Sequence, residues 1–273
     1  MASTETKLEA KVLERTVELA QRTAELEERS RQLESFSYSV SHDLRAPLRA
    51  ISGFAQILSQ RHRTGLDAEG KHFLDNIVEA SSHMGRLIED LLSYSRLGRT
   101  AFTLKPIDLS EVLGIVLLNL ESRALEQGVR LEVAEDLPRV MGDSTLLFQI
   151  FANLLDNAIT YRRPHVPSVV TLSWKREGDN VVLSVSDNGI GIDAAQFEKI
   201  FEVFQRLHTQ ERYPGTGIGL AVVTRAAQLQ HGAVRVESTL GTGSTFHVTL
   251  QRAAAPASTS SVRVPGTSVG EVI

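Results

Sequence analysis

The sequence predicts two unlike parts in one chain: an all-α dimeric four-helix bundle with an N-terminal coiled coil, followed by an α+β sandwich. Three observations predict it. Val12, Leu19, Leu26, Leu33 and Val40 recur at an unbroken interval of seven, the spacing of a coiled-coil seam. Phe73, Ile77, Ala80, Met84, Leu87, Leu91 and Tyr94 alternate steps of four and three, the mark of a second amphipathic helix. Beyond Ala101, short β-branched runs interleave with helical stretches while one tight hairpin keeps neighbouring strands antiparallel. The 273 residues then divide into a coil over 1–35, a helical hairpin over 36–98, a sandwich over 99–252 and a disordered tail over 253–273.

Composition excludes several classes. Hydrophobic residues are 42% and charged residues 23%, a globular balance, and a net charge of -4 offers no cationic field for nucleic acid. The absence of cysteine removes disulfides, thiolate metal sites and cysteine nucleophiles. The most apolar stretch, Val112 to Leu120, falls far short of the roughly 18 residues that span a bilayer. The first residues lack the apolar run of a secretory signal, so the expected location is cytoplasmic.

Taken in order, the coil places Thr16, Thr23, Ser30 and Ser37 beside the seam, a weak second column that suits a coil held with moderate strength. The register continues through Leu44, Ile51 and Leu58 with Pro47 and Phe54, giving one helix of about 55 residues, or about 80 Å. After the break RHRTGLD, Asp67 caps the second helix. Two consecutive helices make an antiparallel hairpin. Alone it leaves half of each stripe wet, so a homodimer is expected. Phe102 to Leu104 read as a strand. Asp108 with Glu111 then starts a helix that runs to Gln127 and ends at Gly128. Further strands are expected at Arg130–Val133, Val169–Lys175, Val181–Ser186, Val234–Glu237 and Ser244–Leu250, with a hairpin loop at residues 177–180. Helices are expected at Thr145–Thr160 and Gly219–Gln230.

In that register His42 lies farthest from the seam, with Asp43 beside it. The other seven histidines read as incidental surface residues. His42 differs because an adjacent carboxylate can hold the proton of one ring nitrogen and raise the nucleophilicity of the other. Pro47 removes the helical hydrogen bond to the Asp43 carbonyl and is expected to loosen the helix one turn beyond. The run Ser41-His42-Asp43-Leu44-Arg45-Ala46-Pro47-Leu48 resembles the phosphoacceptor box of sensor histidine kinases, in the form attached to phytochrome and PAS sensors.

Three downstream segments carry the signature of a nucleotide site. Asn153 and Asn157 are four apart and share one face of a helix, where amide carbonyls suit a magnesium ion that is also held by substrate phosphates. Asp187-Asn188-Gly189-Ile190-Gly191 follows a strand, placing an acid where it can accept from the amino group of a base. Gly215-Thr216-Gly217-Ile218-Gly219 opens a helix whose amides suit polyphosphate. Their order is similar to that of the ATP-binding domain of histidine kinases, with Phe201 and Phe204 as a further box and residues 241–245 as the last glycine segment. The resemblance covers roughly residues 36–250, and it extends to a histidine-kinase-type ATPase fold.

The resemblance implies ATP and Mg2+ as cofactors, Asn157 as the metal ligand and Asn153 as a phosphate or metal-shell contact. It implies that Asp187 reads the adenine amino group with Thr245 nearby and Tyr161 against the ring, that Gly189, Gly191, Gly215, Gly217 and Gly219 line the nucleotide, and that residues 205–215 form a lid. Phe201 and Phe204 fit either core packing or a lid hinge. Related hydrolases place a glutamate at the position of Asn153 to activate water; an amide cannot take that proton, which favours phosphoryl transfer to protein. His42 and Asp43 are the expected catalytic residues, and the partners implied are a second copy, a response-regulator receiver domain and an upstream sensor absent from this chain. The pattern departs at Thr160, where relatives carry a phosphate-binding lysine; Arg162 or Arg163 is the expected substitute. It also departs at Ala46, where phosphatase-competent relatives carry Thr or Asn, so weak or absent phosphatase activity is expected. The competing reading is a catalytically weak dimeric scaffold that binds nucleotide or a receiver.

Overall fold

The computed structural model describes residues 2–97, 102–207, 213 and 215–254, without the side chains of residues 2–10, 24, 26, 27 and 29–38. All but the first two residues of the expected tail and most of the expected lid lie outside the described residues, as do the side chains of Leu26 and Leu33. Helix α1 spans Ala2–Arg61, so the segment expected as a coil and the first hairpin helix are one element, running through Pro47 without a break. Thr16 and Thr23 fold their hydroxyls back onto the carbonyls of Val12 and Leu19, each at 2.8 Å, which satisfies the polar column beside the seam within its own helix. Asp67 caps α2 (Ala68–Leu97) by accepting from Gly70 N at 2.7 Å. Across the turn, Arg63 Nη2 donates to Asp75 Oδ2 at 2.8 Å.

The hairpin packs through a face the sequence reading did not choose. Buried positions are Ser41, Leu48 and Ala55 on α1, and Leu74, Ser81, Ile88 and Leu92 on α2. Small side chains at 41, 55 and 81 let the helices approach closely. The predicted stripes point elsewhere: Val40, Leu44, Ile51, Phe54 and Leu58 on α1, and Phe73, Ile77 and Met84 on α2, are exposed. Leu91 and Tyr94 pack on the core of the second domain, in which Leu97 is buried.

That domain opens with β1 (Lys105–Asp108), not with Phe102–Leu104, because Lys105 to Asp108 find a partner in β3 (Arg139–Gly142), a strand unforeseen in the sequence. Between them lie α3 (Leu109–Glu126) and β2 (Val129–Val133). The Asp108 side chain caps α3 by accepting from Ser110 N at 3.0 Å, and Gly128 beyond its end has φ +64°. Then follow α4 (Ser144–Thr160), β4 (Ser168–Glu177), β5 (Asn180–Asp187), α5 (Gly219–Gln228), β6 (Ala233–Thr239) and β7 (Gly243–Gln251). The main sheet has the order β2-β4-β5-β7-β6. Its β2–β4 pair is parallel and the rest antiparallel, so the sheet is mixed.

Helices α3, α4 and α5 cover one sheet face. Leu147, Ile150, Phe151 and Leu154 of α4 are fully buried against Leu172, Leu183, Val185 and Val248. The other face carries Thr171, Ser184, Ser186, Thr245 and Arg235, the alternation of a half-solvated sheet. The fold extends one residue past the expected boundary, since Ala253 N donates to Arg139 O at 3.0 Å and its side chain is buried.

Candidate functional site

His42 stands on the outer face of α1 with its side chain 68% exposed, and its Nδ1 lies 3.3 Å from Asp43 Oδ1. With the proton on Nδ1, the lone pair of Nε2 faces away from the carboxylate. One turn on, Ala46 is exposed and offers only a methyl group. Arg45, by contrast, crosses the hairpin to Glu89 at 2.9 Å.

A partly open cleft lies between α4, the end of β5 and the start of α5, and is lined by Asn157, Tyr161, Asp187, Ile190, Leu220, Ser244 and Phe246 among others. Asp187 Oδ1 accepts from Gly189 N at 2.8 Å and Ser244 N at 3.3 Å. Burial outweighs these bonds and pushes the carboxyl up to about 6. Oδ2 is left as an acceptor for a ligand amino group. Gly189 is required by close approach, since a Cβ there would collide with the Tyr161 carbonyl and with Asp187 Oδ1. Gly191 and Gly217 have φ +70° and +74°, which only glycine adopts freely. Tyr161 caps α4, its carbonyl accepts from Ile190 N at 3.0 Å, and its ring tilts against Tyr213 at 5.4 Å.

Thr245 is displaced from the expected place. Side chains alternate along β7, so Ser244 and Phe246 face the cleft while the Thr245 hydroxyl meets Ser186 Oγ at 2.9 Å on the opposite face. The residue beside Asp187 is therefore Ser244. The two phenylalanines differ in packing. Phe201 packs edge-on against Phe246 at 6.5 Å, whereas Phe204 is 56% exposed with φ +67° and donates its N–H to Gly217 O at 2.9 Å.

A second, more open groove continues from the same cleft toward α2, lined by Asn153, Asp156, Asn157 and Thr160 of α4, by residues of the Gly215–Leu220 segment, and by Arg123, Arg86 and Asp90. Positions 153, 156, 157 and 160 fall on one helix face. Asn153 Nδ2 is held by Gln149 O at 2.8 Å, and Asn153 Oδ1 lies 2.8 Å from where a Cβ on residue 219 would be, so a larger residue at the start of α5 would displace the Asn153 amide. Gly215 is under no such constraint, its nearest contact being an ordinary 3.7 Å. Thr216 Oγ1 donates to Asp90 Oδ2 at 2.6 Å, tying the glycine loop to the hairpin, and burial raises the Asp90 carboxyl.

Neither arginine expected to replace the lysine at Thr160 lines this groove. Arg163 joins Asn188 O (2.9 Å) to Gly241 O (2.6 Å), and Arg162 turns back toward Ile159 O at 3.4 Å. Of the two arginines that do line it, Arg86 and Arg123, Arg123 of α3 pairs with Asp156 and donates to Thr160 Oγ1 at 2.7 Å. Among the described residues no three His, Asp or Glu side chains cluster as a metal cage. Asn157 lines both the cleft and this groove. His42 lines neither cavity.

The comparisons agree with this layout. Residues 32–100 match the His Kinase A (phospho-acceptor) domain, and residues 142–254 match the histidine kinase-, DNA gyrase B- and HSP90-like ATPase. The chain belongs to the histidine kinases. This histidine kinase core is 39% identical over 239 residues to cyanobacterial phytochrome A of Nostoc sp. (strain PCC 7120), covering 88% of this chain and 31% of the relative. It is also 39% identical over 239 residues to the phytochrome-like protein Cph1 of Synechocystis sp. (strain PCC 6803), covering 88% and 32%. It thus spans about a third of the length of these relatives. Full-length ShkA in complex with AMPPNP superposes with a TM-score of 0.63 at 30% identity, over 82% of this chain and 47% of that one. Acinetobacter baumannii AdeS shares the fold, with a TM-score of 0.55 at 24% identity over 77% and 98%. No described helix is long and apolar enough to cross a membrane.

Proposed function

We propose that this core phosphorylates His42 from ATP and passes the phosphoryl group to an aspartate of a response-regulator receiver domain. The observation that carries the proposal is an exposed imidazole paired with Asp43 in the same chain as a cleft with an acid for adenine and an amide-lined face for phosphates. Asp187 would accept from the adenine amino group with the Ser244 side of β7 beside it, and Tyr161 would bound the ring. Asn153 and Asn157 would serve the phosphate end, where Mg2+ would neutralise the triphosphate. Nε2 of His42 attacks the γ-phosphorus as the bond to the β-phosphate oxygen breaks, leaving ADP. Asp43 orients the ring, stabilises the positive charge that develops on it and accepts the Nδ1 proton. Rate enhancement would come from positioning and charge neutralisation.

Because His42 lies outside the cleft, transfer requires the ATP domain to change its seat on the hairpin. The coil over 1–35 is continuous with the helix that bears His42, so a sensor's movement would reach that region directly. The exposed stripes of α1 and α2 support a homodimer in which a second hairpin covers them. Ala46 leaves no polar group to orient water toward the aspartyl phosphate of a receiver docked beside His42, which supports low phosphatase activity on that partner.

Incubation with γ-labelled ATP and Mg2+ tests the proposal. Acid-labile, base-stable label on the protein, transferable to a receiver and absent in His42→Gln, is expected. Nucleotide binding without label would instead indicate a scaffold, and steady phosphate release without protein label an ATPase. Rapid loss of label from a phosphorylated receiver on adding the wild-type core would overturn the phosphatase reading.

A further inference from the structure

We infer that Arg123 is the phosphate-binding cation of this site, supplied from α3 in place of the lysine missing at Thr160. The inference rests on the reading of the cleft as an ATP site. The groove beyond Asn157 must receive a polyanion, yet its α4 face carries a carboxylate, Asp156, and no positive charge. Among the described residues two cations line it, Arg86 and Arg123. Arg86 belongs to the hairpin and parts from the groove when the ATP domain changes seat, whereas Arg123 is built into the same core as Asn153 and Asn157.

The placement of Arg123 is fixed at two points. Its Nη1 pairs with Asp156 and its Nη2 donates to Thr160 Oγ1 at 2.7 Å, spanning one turn of α4 that includes Asn157. Thr160 is buried, so its hydroxyl is a fixed anchor. A guanidinium has five N–H donors in a rigid fork; these two bonds use two, and the remainder serve a groove in which phosphate oxygens would lie. Lysine at 160 would meet Arg123 head-on, which explains why a short hydroxyl side chain stands there. Thr160 and Arg123 therefore act as a pair: the one positions the other.

Calorimetric titration of the full chain with ATP·Mg2+ and with adenosine tests this. Arg123→Gln is expected to weaken ATP by about ten- to hundredfold, the range for losing a charged hydrogen-bond partner, while adenosine affinity changes less than twofold. Adding Thr160→Lys to Arg123→Gln should restore most of the loss, because a lysine then occupies the vacated space. Adding Asp156→Asn should not. Full recovery in that double variant would show that Arg123 only neutralises Asp156, and equal loss of ATP and adenosine would show a purely structural role; either overturns the inference. Should Arg123→Gln fail to fold, the near-isosteric Thr160→Val loosens the anchor alone, and threefold weaker ATP at unchanged adenosine is expected; unchanged ATP would contradict the inference. Wild-type protein that binds adenosine but gains nothing from the triphosphate overturns the inference while leaving the adenine site standing; failure to bind either ligand overturns both.

Discussion

Between α1 and α2 the buried contacts come from Ser41, Leu48, Ala55, Leu74, Ser81 and Ile88, while Ile51, Phe54, Phe73 and Met84 stay exposed. In the ATP domain, Leu147, Ile150, Phe151 and Leu154 have no exposure beyond 1%. One region closes its core within the chain; the other spends its larger side chains on a surface that a second copy would cover. The difference assigns separate tasks. The ATP domain can hold its nucleotide site rigid on its own, whereas a hairpin stabilised by association would be altered by changes at the covering surface.

The most damaging substitution should be Phe151→Ala, which empties the centre of the ATP domain and is expected to cost about 3–5 kcal/mol. Calorimetry should show the domain's melting transition lowered with the dimer intact. Next, Ile51→Glu with Phe54→Glu should weaken self-association by about a hundredfold or more, seen by sedimentation, with ATP affinity unchanged. A monomer that retains full labelling would break the comparison.

Asp187 sharpens it through pH. Folding raises this carboxyl to about 6, so the folded state binds the proton more tightly. The stability this group contributes is full below its ordinary range and is lost as pH rises through about 6. Asp187→Asn, which keeps an acceptor for Gly189 and Ser244, should therefore stabilise the ligand-free domain at pH 7 by about 1–2 kcal/mol. ATP affinity, which needs the carboxylate as acceptor, should fall in that variant and, in wild type, as pH drops below about 6. The smallest effect is expected from Asp90→Ala, which releases Thr216. Labelling should rise about two- to fivefold, less than 1 kcal/mol of barrier, with ATP affinity held; a slower rate would mean that the contact belongs to the productive arrangement.

Most strands were legible because half-buried strands alternate, and both helix caps at Asp67 and Asp108 carried local signals. β3 was not, since Arg139–Gly142 is short and defined by its pairing with β1 rather than by alternation. Thr245 failed by one residue, which in a strand means the opposite face. The stripe on α2 is a true apolar face, but periodicity cannot say which neighbour it meets. Arg123 was illegible because its contacts to Asp156 and Thr160 span 33 and 37 residues; a basic residue on α3 was the only trace.

The central claim is that the cleft delivers its phosphoryl group to one exposed imidazole. Mass spectrometry of the full chain after incubation with ATP·Mg2+, under mildly alkaline conditions that spare the phosphorus–nitrogen bond, addresses it most directly. A single phosphoryl group on His42, absent when Asn157 is replaced by alanine, is the predicted result; modification of any other residue, or an undiminished yield without Asn157, would contradict it.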